Sequence, residues 1–148
     1  MTAVQLTDTD SISSVLLRVR YAETDQMGLA HHANYVIWCE EARTEHMRRL
    51  GVSYREMEEQ GMLLPVVDVR VRYRQGARYD DPVRVYCWVR DVASRRVEFG
   101  YAVVAETDRR LLATAQTSLV AVDSTHALTT LPPEVRERLV PVPDPLRL

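Results

Sequence analysis

The sequence predicts an α+β domain in which one antiparallel sheet covers the apolar side of a single long helix. Two observations support this fold class. Apolar residues recur with a helical period over residues 33–50, and they alternate with polar residues in five other segments. The length of 148 residues is typical of one domain with its own core. We therefore predict a mobile N-terminal tail over residues 1–13, a single domain over 14–140 and a Pro-rich C-terminal tail over 141–148.

The first strand is predicted over residues 15–21, where every second residue is apolar, and a loop over 22–31 follows it. The long helix comes next. On a helical wheel, one arc holds Tyr35, Trp38, Cys39, Ala42, His46 and Leu50, and the opposite arc holds Glu40, Glu41, Thr44, Glu45 and Arg48. We expect Asn34 to be the N-cap, Glu45 to pair with Arg49, and Gly51 to end the helix in the left-handed conformation.

The second half of the chain is predicted to be mostly strands. A short helix over residues 53–60, capped by Ser53 and ended by Gly61, precedes four alternating segments at 67–74, 83–90, 97–103 and 112–122. The turns between these segments contain Gly76, Asp80-Asp81-Pro82 and similar residues that suit hairpins, so consecutive strands are expected to pair antiparallel. Pro132 and Pro133 begin a final short helix.

Composition excludes several classes of function. Acidic residues number 21 and basic residues 19, a net charge of -2, which argues against a nucleic-acid partner. All the basic residues are arginine, so Schiff-base, pyridoxal phosphate and P-loop lysine chemistry are excluded. The sequence has no apolar run of about 18 residues, and its first residues are polar and acidic. We expect a cytoplasmic protein without a membrane span.

Nucleophile and metal motifs are also missing from the sequence. It has no G-x-S-x-G elbow for a serine nucleophile and no H-x-x-x-H or C-x-x-C spacing for a metal. Cys39 and Cys87 fall on predicted buried faces and are expected to act as small hydrophobic residues. His46 lies on the apolar helix face and is expected to be a hydrogen-bonded core histidine.

Reactive side chains concentrate in residues 25–35, between the first strand and the long helix. A helix start presents unpaired N–H groups that stabilise an anion, and Gly28 allows a tight turn or a close approach to a ligand. Asp25, facing that helix start, is suited to act as a nucleophile or as a general base toward water. The alternative is a loop aspartate that accepts hydrogen bonds from nearby backbone, beside a partly exposed pair, His31 and His32.

The same stretch carries a resemblance to a known family. The pattern is Tyr21-x-x-Thr24-Asp25-x-x-Gly28-x-x-x-His32-x-Asn34-Tyr35, continued by Glu41-Ala42-Arg43-Thr44-Glu45. It resembles the hotdog-fold acyl-CoA thioesterases of the 4-hydroxybenzoyl-CoA thioesterase type, particularly the branch associated with the Tol-Pal cluster. The similarity continues through Ala77-Arg78-Tyr79-Asp80-Asp81 and Leu131-Pro132-Pro133-Glu134-Val135-Arg136.

The resemblance implies a five-stranded antiparallel sheet wrapped around the long helix, and subunits that pair as a homodimer or homotetramer with active sites at their boundary. It implies hydrolysis of an acyl-CoA substrate without a cofactor, since CoA is part of the substrate. Asp25 would be the catalytic carboxylate, and the backbone N–H of His32 would polarise the thioester carbonyl. The residues expected to contact the substrate are Gly28, His31, Asn34, Tyr35 and Arg78.

Two other functions stay open at this point. A non-hydrolytic module that binds acyl-CoA or an acyl-carrier protein would keep the pocket, although the presence of Asp25 argues against it. A hotdog dehydratase would need a histidine and an acid from facing subunits, and no second acid is evident opposite His32. The acyl group and the role of Asp25 as nucleophile or base are likewise open.

Overall fold

The computed structural model describes residues 2–148 of the chain. Its elements in chain order are β1 (Ile12–Arg18), a 3-10 turn (Tyr21–Glu23), α1 (Asn34–Arg49), α2 (Tyr54–Glu59), β2 (Met62–Leu63), β3 (Val66–Tyr73), β4 (Pro82–Val92), β5 (Arg96–Ala105), β6 (Leu111–Val120), β7 (Val122–Asp123) and α3 (Pro133–Arg138). The α+β class is confirmed. In the described part of the chain, no helix is both long and apolar enough to cross a membrane.

Five strands form one antiparallel sheet in the order β1-β4-β5-β6-β3, and β2 pairs separately with β7. The hairpins β4-β5 and β5-β6 are confirmed, but the hairpin predicted between β3 and β4 is wrong. Alternation identifies a strand but not its neighbour, and here β5 and β6 separate the two strands. The connection crosses the domain beside the start of α1, where Ala30 N–H donates to Ala77 O at 2.8 Å.

Helix α1 packs against β1 and β4 with the face that the wheel predicts. Trp38, Cys39 and Ala42 are buried there beside inward residues of the sheet such as Val85 and Phe99. The end of α1 is also as predicted, since Glu45 and Arg49 pair at 3.2 Å and Gly51 adopts a φ of +79°.

Two local predictions are corrected. The first strand runs over Ile12–Arg18 rather than 15–21, because the chain leaves the sheet after Arg18 and Thr24 N–H closes a turn on Tyr21 O at 3.2 Å. Ala33 occupies the N-cap position of α1 and Asn34 is already helical. The Asn34 side chain bonds backward to the carbonyl oxygens of Glu23 and His31.

The outer face of the sheet carries a second apolar cluster, centred on Trp88 and Tyr86 and covered by both flanking segments of the chain. Leu6 is buried in it, and Trp88 Nε1 donates to Asp144 Oδ1 at 2.9 Å. The predicted tail boundaries and the mobility of residues 1–13 stay predictions, with Met1 outside the described residues. The segments before β1 and after α3 both pack against the outer face of the sheet.

Two buried polar groups hold α1 to its neighbours. His46 is 1% exposed, and its Nδ1 lies 2.7 Å from Ser13 Oγ in β1, which confirms the core histidine. Arg43 is buried on the sheet side and donates to the phenol oxygens of Tyr54 and Tyr101, each at 3.1 Å. Nothing in the sequence distinguished Arg43 from the exposed arginines.

Candidate active site

The loop between the 3-10 turn and α1 folds back on itself at Gly28. Asp25 N–H donates to Leu29 O at 2.8 Å, Gly28 N–H donates to Asp25 O at 3.0 Å, and Gly28 has a φ of +80°. This left-handed conformation favours glycine because it has no Cβ. The loop thereby presents Asp25 beside the beginning of the helix.

The two carboxylate oxygens of Asp25 have different surroundings. Oδ1 accepts hydrogen bonds from the N–H groups of Met27 at 2.9 Å and Leu29 at 3.3 Å. Within residues 2–148, Oδ2 has no hydrogen-bond partner. The backbone bonds expected of an ordinary loop aspartate are therefore present, and they fix the carboxylate while leaving one oxygen available for a substrate or a water.

The backbone amides that lead into α1 are paired with one exception. The N–H groups of Ala30, His31, Ala33, Asn34, Tyr35 and Val36 all donate to protein acceptors. The N–H of His32 has no acceptor among the described residues. Because the first N–H groups of a helix carry partial positive charge, this amide is available to an oxyanion.

Glu23 anchors the loop to the helix. Glu23 is 5% exposed, and its two carboxylate oxygens accept from Arg20 N–H at 2.8 Å and from Trp38 Nε1–H at 2.9 Å. Burial alone raises the pKa of Glu23, but these hydrogen bonds outweigh burial and hold the pKa below its usual range. Nothing in the sequence marks Glu23 as a site residue, since a glutamate in a polar loop carries no pattern that predicts its burial.

A cleft of about 290 Å³ opens beside the loop. Its lining residues are Asp25, Met27, Leu29, Ala30, His32, Tyr35, Tyr73, Arg74, Gln75 and Gly76. Three of these side chains are aromatic: the Tyr73 ring meets Tyr35 edge-on at 5.1 Å and His32 at 6.3 Å. The cleft thus combines Asp25 and His32, which the sequence places in one loop, with residues of β3 and of the segment that follows it.

Tyr73 is a further residue of the site that the sequence did not mark, because it stands within the alternating segment 67–74 without a motif of its own. Its hydroxyl donates to the carbonyl oxygen of His32 at 2.8 Å. Strand β3, which lies at the edge of the sheet, therefore contacts the turn that carries the unpaired His32 N–H.

The other predicted site residues lie around the cleft rather than in its lining. The His31 ring is exposed and stacks on His32 at 4.2 Å. The Arg78 guanidinium lies close to Gly28, since its Nη1 is 4.0 Å from the position that a Cβ on Gly28 would take. Neither residue lines the cleft. The Asn34 carboxamide donates hydrogen bonds to the backbone carbonyl oxygens of Glu23 and His31. Contacts between these residues and a substrate stay predictions.

The two cysteines are buried and free. Burial raises the pKa of Cys39 to about 12 and raises that of Cys87 well above its usual value. A thiol is a poor nucleophile when it stays protonated. Both residues therefore act as small core side chains, as the sequence predicted.

Comparison with known proteins decides the family. Residues 19–139 match the model of the thioesterase-like superfamily. The chain belongs to this superfamily. Its fold is the hotdog fold, with the sheet wrapped around α1, and solved thioesterases share it.

Several members of the superfamily are similar over most of the chain. YneP of Bacillus subtilis (strain 168) is 40% identical over 92 residues, which cover 62% of this chain and 67% of YneP. The acyl-CoA thioester hydrolase YbgC of Escherichia coli O6:H1 is 30% identical, covering 72% of this chain and 79% of YbgC. The solved DHNA-CoA thioesterase of Staphylococcus aureus is 36% identical with a TM-score of 0.78, covering 81% of this chain and 80% of that one.

Proposed function

We propose that this protein hydrolyses acyl-CoA thioesters to a free acid and CoA, with Asp25 as the catalytic carboxylate and the His32 N–H as the oxyanion donor. One observation carries the proposal: Asp25 and His32 line the same cleft, and among residues 30–36 the His32 N–H is the one amide without an acceptor in the described part of the chain. The names of YbgC and the S. aureus thioesterase support the reaction class.

The chemistry needs few groups. A thiol ionises near pH 8 to 9, so a thiolate leaves more easily than an alkoxide and a strong general acid is not required. In one route Asp25 takes a proton from water, the water oxygen bonds to the carbonyl carbon, and the carbon–sulfur bond then breaks. In the other, an Asp25 oxygen bonds to the carbonyl carbon, the carbon–sulfur bond breaks with CoA leaving as the thiolate, and water then cleaves the resulting anhydride. Either route places negative charge on the carbonyl oxygen, where the His32 N–H would stabilise it.

The lining of the cleft bears on the acyl group. Tyr73, against which the buried Tyr35 packs, and the His32 ring offer aromatic surface, which favours an aromatic or other flat apolar acyl group over a short aliphatic one. Arg78 and His31, at the rim, would contact the CoA portion or the thioester. The motif around Asp25 supports placement in the 4-hydroxybenzoyl-CoA thioesterase type and its Tol-Pal-associated branch. No cofactor is needed beyond the CoA of the substrate, and a cytoplasmic location remains part of the proposal.

A second copy of the chain is expected beside the cleft. Strand β3 is an edge strand whose apolar residues Val67, Val69 and Tyr73 are exposed, and such an edge is a template for pairing. Because the segment after β3 lines the cleft, a homodimer paired along β3 would place the partner next to it. A homotetramer would use another surface, since the flanking segments cover the outer sheet face.

The test is release of CoA from short, long and aromatic acyl-CoAs by the wild type, Asp25→Asn and a matched control, Asp80→Asn. Asp80 is an exposed turn aspartate with a φ of +67°, a conformation that asparagine tolerates. We expect Asp25→Asn to lose about a hundredfold or more in kcat and the control to match the wild type. If the wild type binds acyl-CoA but hydrolyses none of the panel, the non-hydrolytic binding module replaces this proposal.

A further inference from the structure

The carboxamide of Asn34 spans two carbonyl groups at the start of α1. Its Nδ2 donates to Glu23 O at 2.8 Å and to His31 O at 3.3 Å, and the Asn34 backbone N–H donates to the same His31 oxygen at 3.0 Å. The carbonyl of His31 is thus held from two directions by one residue.

The His31 carbonyl and the His32 N–H belong to one peptide unit. Because a trans peptide is planar, its C=O and N–H point in opposite directions, so fixing the oxygen also fixes the direction of the N–H. The chain has no cis peptide in its described part. Asn34 therefore fixes the orientation of the free His32 amide without touching it.

The other acceptor of the Asn34 side chain, the Glu23 carbonyl oxygen, is also held in place. The Glu23 carbonyl oxygen also accepts from His31 N–H at 2.7 Å, and the buried Glu23 side chain is bonded to Trp38 of α1. A helix-capping role does not account for Asn34, since no side-chain cap bond is made at this helix start. The bonds of Asn34 serve the turn that holds the His31–His32 peptide.

We propose that Asn34 is a positioning residue that sets the direction of the His32 N–H toward the thioester carbonyl, rather than a substrate-binding residue. This inference rests on the proposed function and adds the group that keeps its oxyanion donor in place. It predicts that losing the carboxamide weakens stabilisation of the oxyanion while leaving substrate binding intact.

The experiment compares Asn34→Ala and Asn34→Asp with the wild type. Both variants lack the Nδ2 donor, and Asn34→Asp also keeps the shape of the side chain. If one of the two variants fails to fold, the other still tests the inference. Gln26→Ala is the matched control, because it removes an exposed carboxamide from the same loop. We expect kcat to fall about tenfold to a hundredfold in either Asn34 variant, with KM and the affinity for CoA changed less than threefold. The control should keep the wild-type kcat.

A spectroscopic readout separates this inference from the proposed function. In an Asp25→Asn background, the infrared stretch of a ¹³C-labelled thioester carbonyl should move to lower frequency on binding, because the His32 N–H polarises it. Adding Asn34→Ala should remove most of that shift while the acyl-CoA stays bound. An unchanged shift, or a higher KM at unchanged kcat, would overturn the positioning role. A wild type that binds but never hydrolyses overturns the proposed function instead, and the infrared comparison still tests Asn34.

Discussion

The buried histidine of α1 gives the sharpest prediction for stability. His46 lies in the core with Nδ1 at 2.7 Å from Ser13 Oγ, and its Nε2 has no partner among the described residues. Burial, and then the positive charge of Arg49, lower the pKa of His46 from 6.5 to about 4. The folded protein therefore binds a proton at this site more weakly than the unfolded chain does.

The sign and size of the effect follow from that difference. A lowered histidine pKa means that stability is full above pH 6.5 and is lost as the pH falls toward 4, because the unfolded chain takes up the proton first. One pKa unit corresponds to about 1.36 kcal/mol. At pH 5 the unfolded histidine is protonated and the folded one is mostly neutral, so the loss is about 2 kcal/mol, rising to about 3 kcal/mol below pH 4.

The measurement is urea unfolding at pH 7.5, 6 and 5 for the wild type and His46→Gln, at one protein concentration. Glutamine does not titrate, so the difference between the two free energies of unfolding isolates His46. Carboxylates with lowered pKa, such as Asp8 and Glu23, begin to contribute only near their unfolded values of 3.8 and 4.5, below this range. We expect the wild type to lose about 2 kcal/mol more than His46→Gln between pH 7.5 and 5. Equal losses in the two proteins would refute the reasoning.

Three further predictions concern the sheet and its edge. Gly100→Ala should lower the free energy of unfolding by about 1 to 3 kcal/mol in urea titrations, because a Cβ there would stand 2.5 Å from the buried Trp88 ring; unchanged stability would contradict this packing. Tyr73→Phe should lower kcat about fivefold in the CoA-release assay, since it removes a hydrogen bond to His32 O worth about 1 kcal/mol, and an unaltered kcat would show that this bond has no role. Val69→Lys on the exposed edge should convert a dimer to a monomer in light scattering; a dimer that persists would place the interface away from β3.

Much of the secondary structure could be predicted because local patterns carry it. Helix α1 has a helical period over four turns and a glycine at its end, so its bounds were predicted within one residue at each end. The four later strands each place apolar residues at alternate positions, which is the period of a strand, although β3 is exposed along nearly its whole length and β5 is buried on both faces. The pairing of β3 failed for a physical reason, since any neighbour with an apolar face satisfies the same alternation.

Part of the site was also visible in the sequence. Asp25 and His32 stand in one short loop at a helix start, where residue type and position alone suggest a carboxylate facing N–H groups. Tyr73 is 41 residues from His32, and nothing in the chain between them indicates their contact. Asn34 was assigned to the substrate on the family resemblance, whereas the backbone carbonyl oxygens that its side chain reaches are brought to it by the fold.

The sequence by itself determined the α+β class, the long helix, the strands and the loop that carries Asp25, because these depend on residues close together in the chain. Only the tertiary structure decided that Glu23 is buried, that β3 lies at the edge, and that the His32 N–H is left unpaired. Those facts depend on which distant groups take up each donor and acceptor. A free amide is defined by its missing partner, and that is a property of the whole fold.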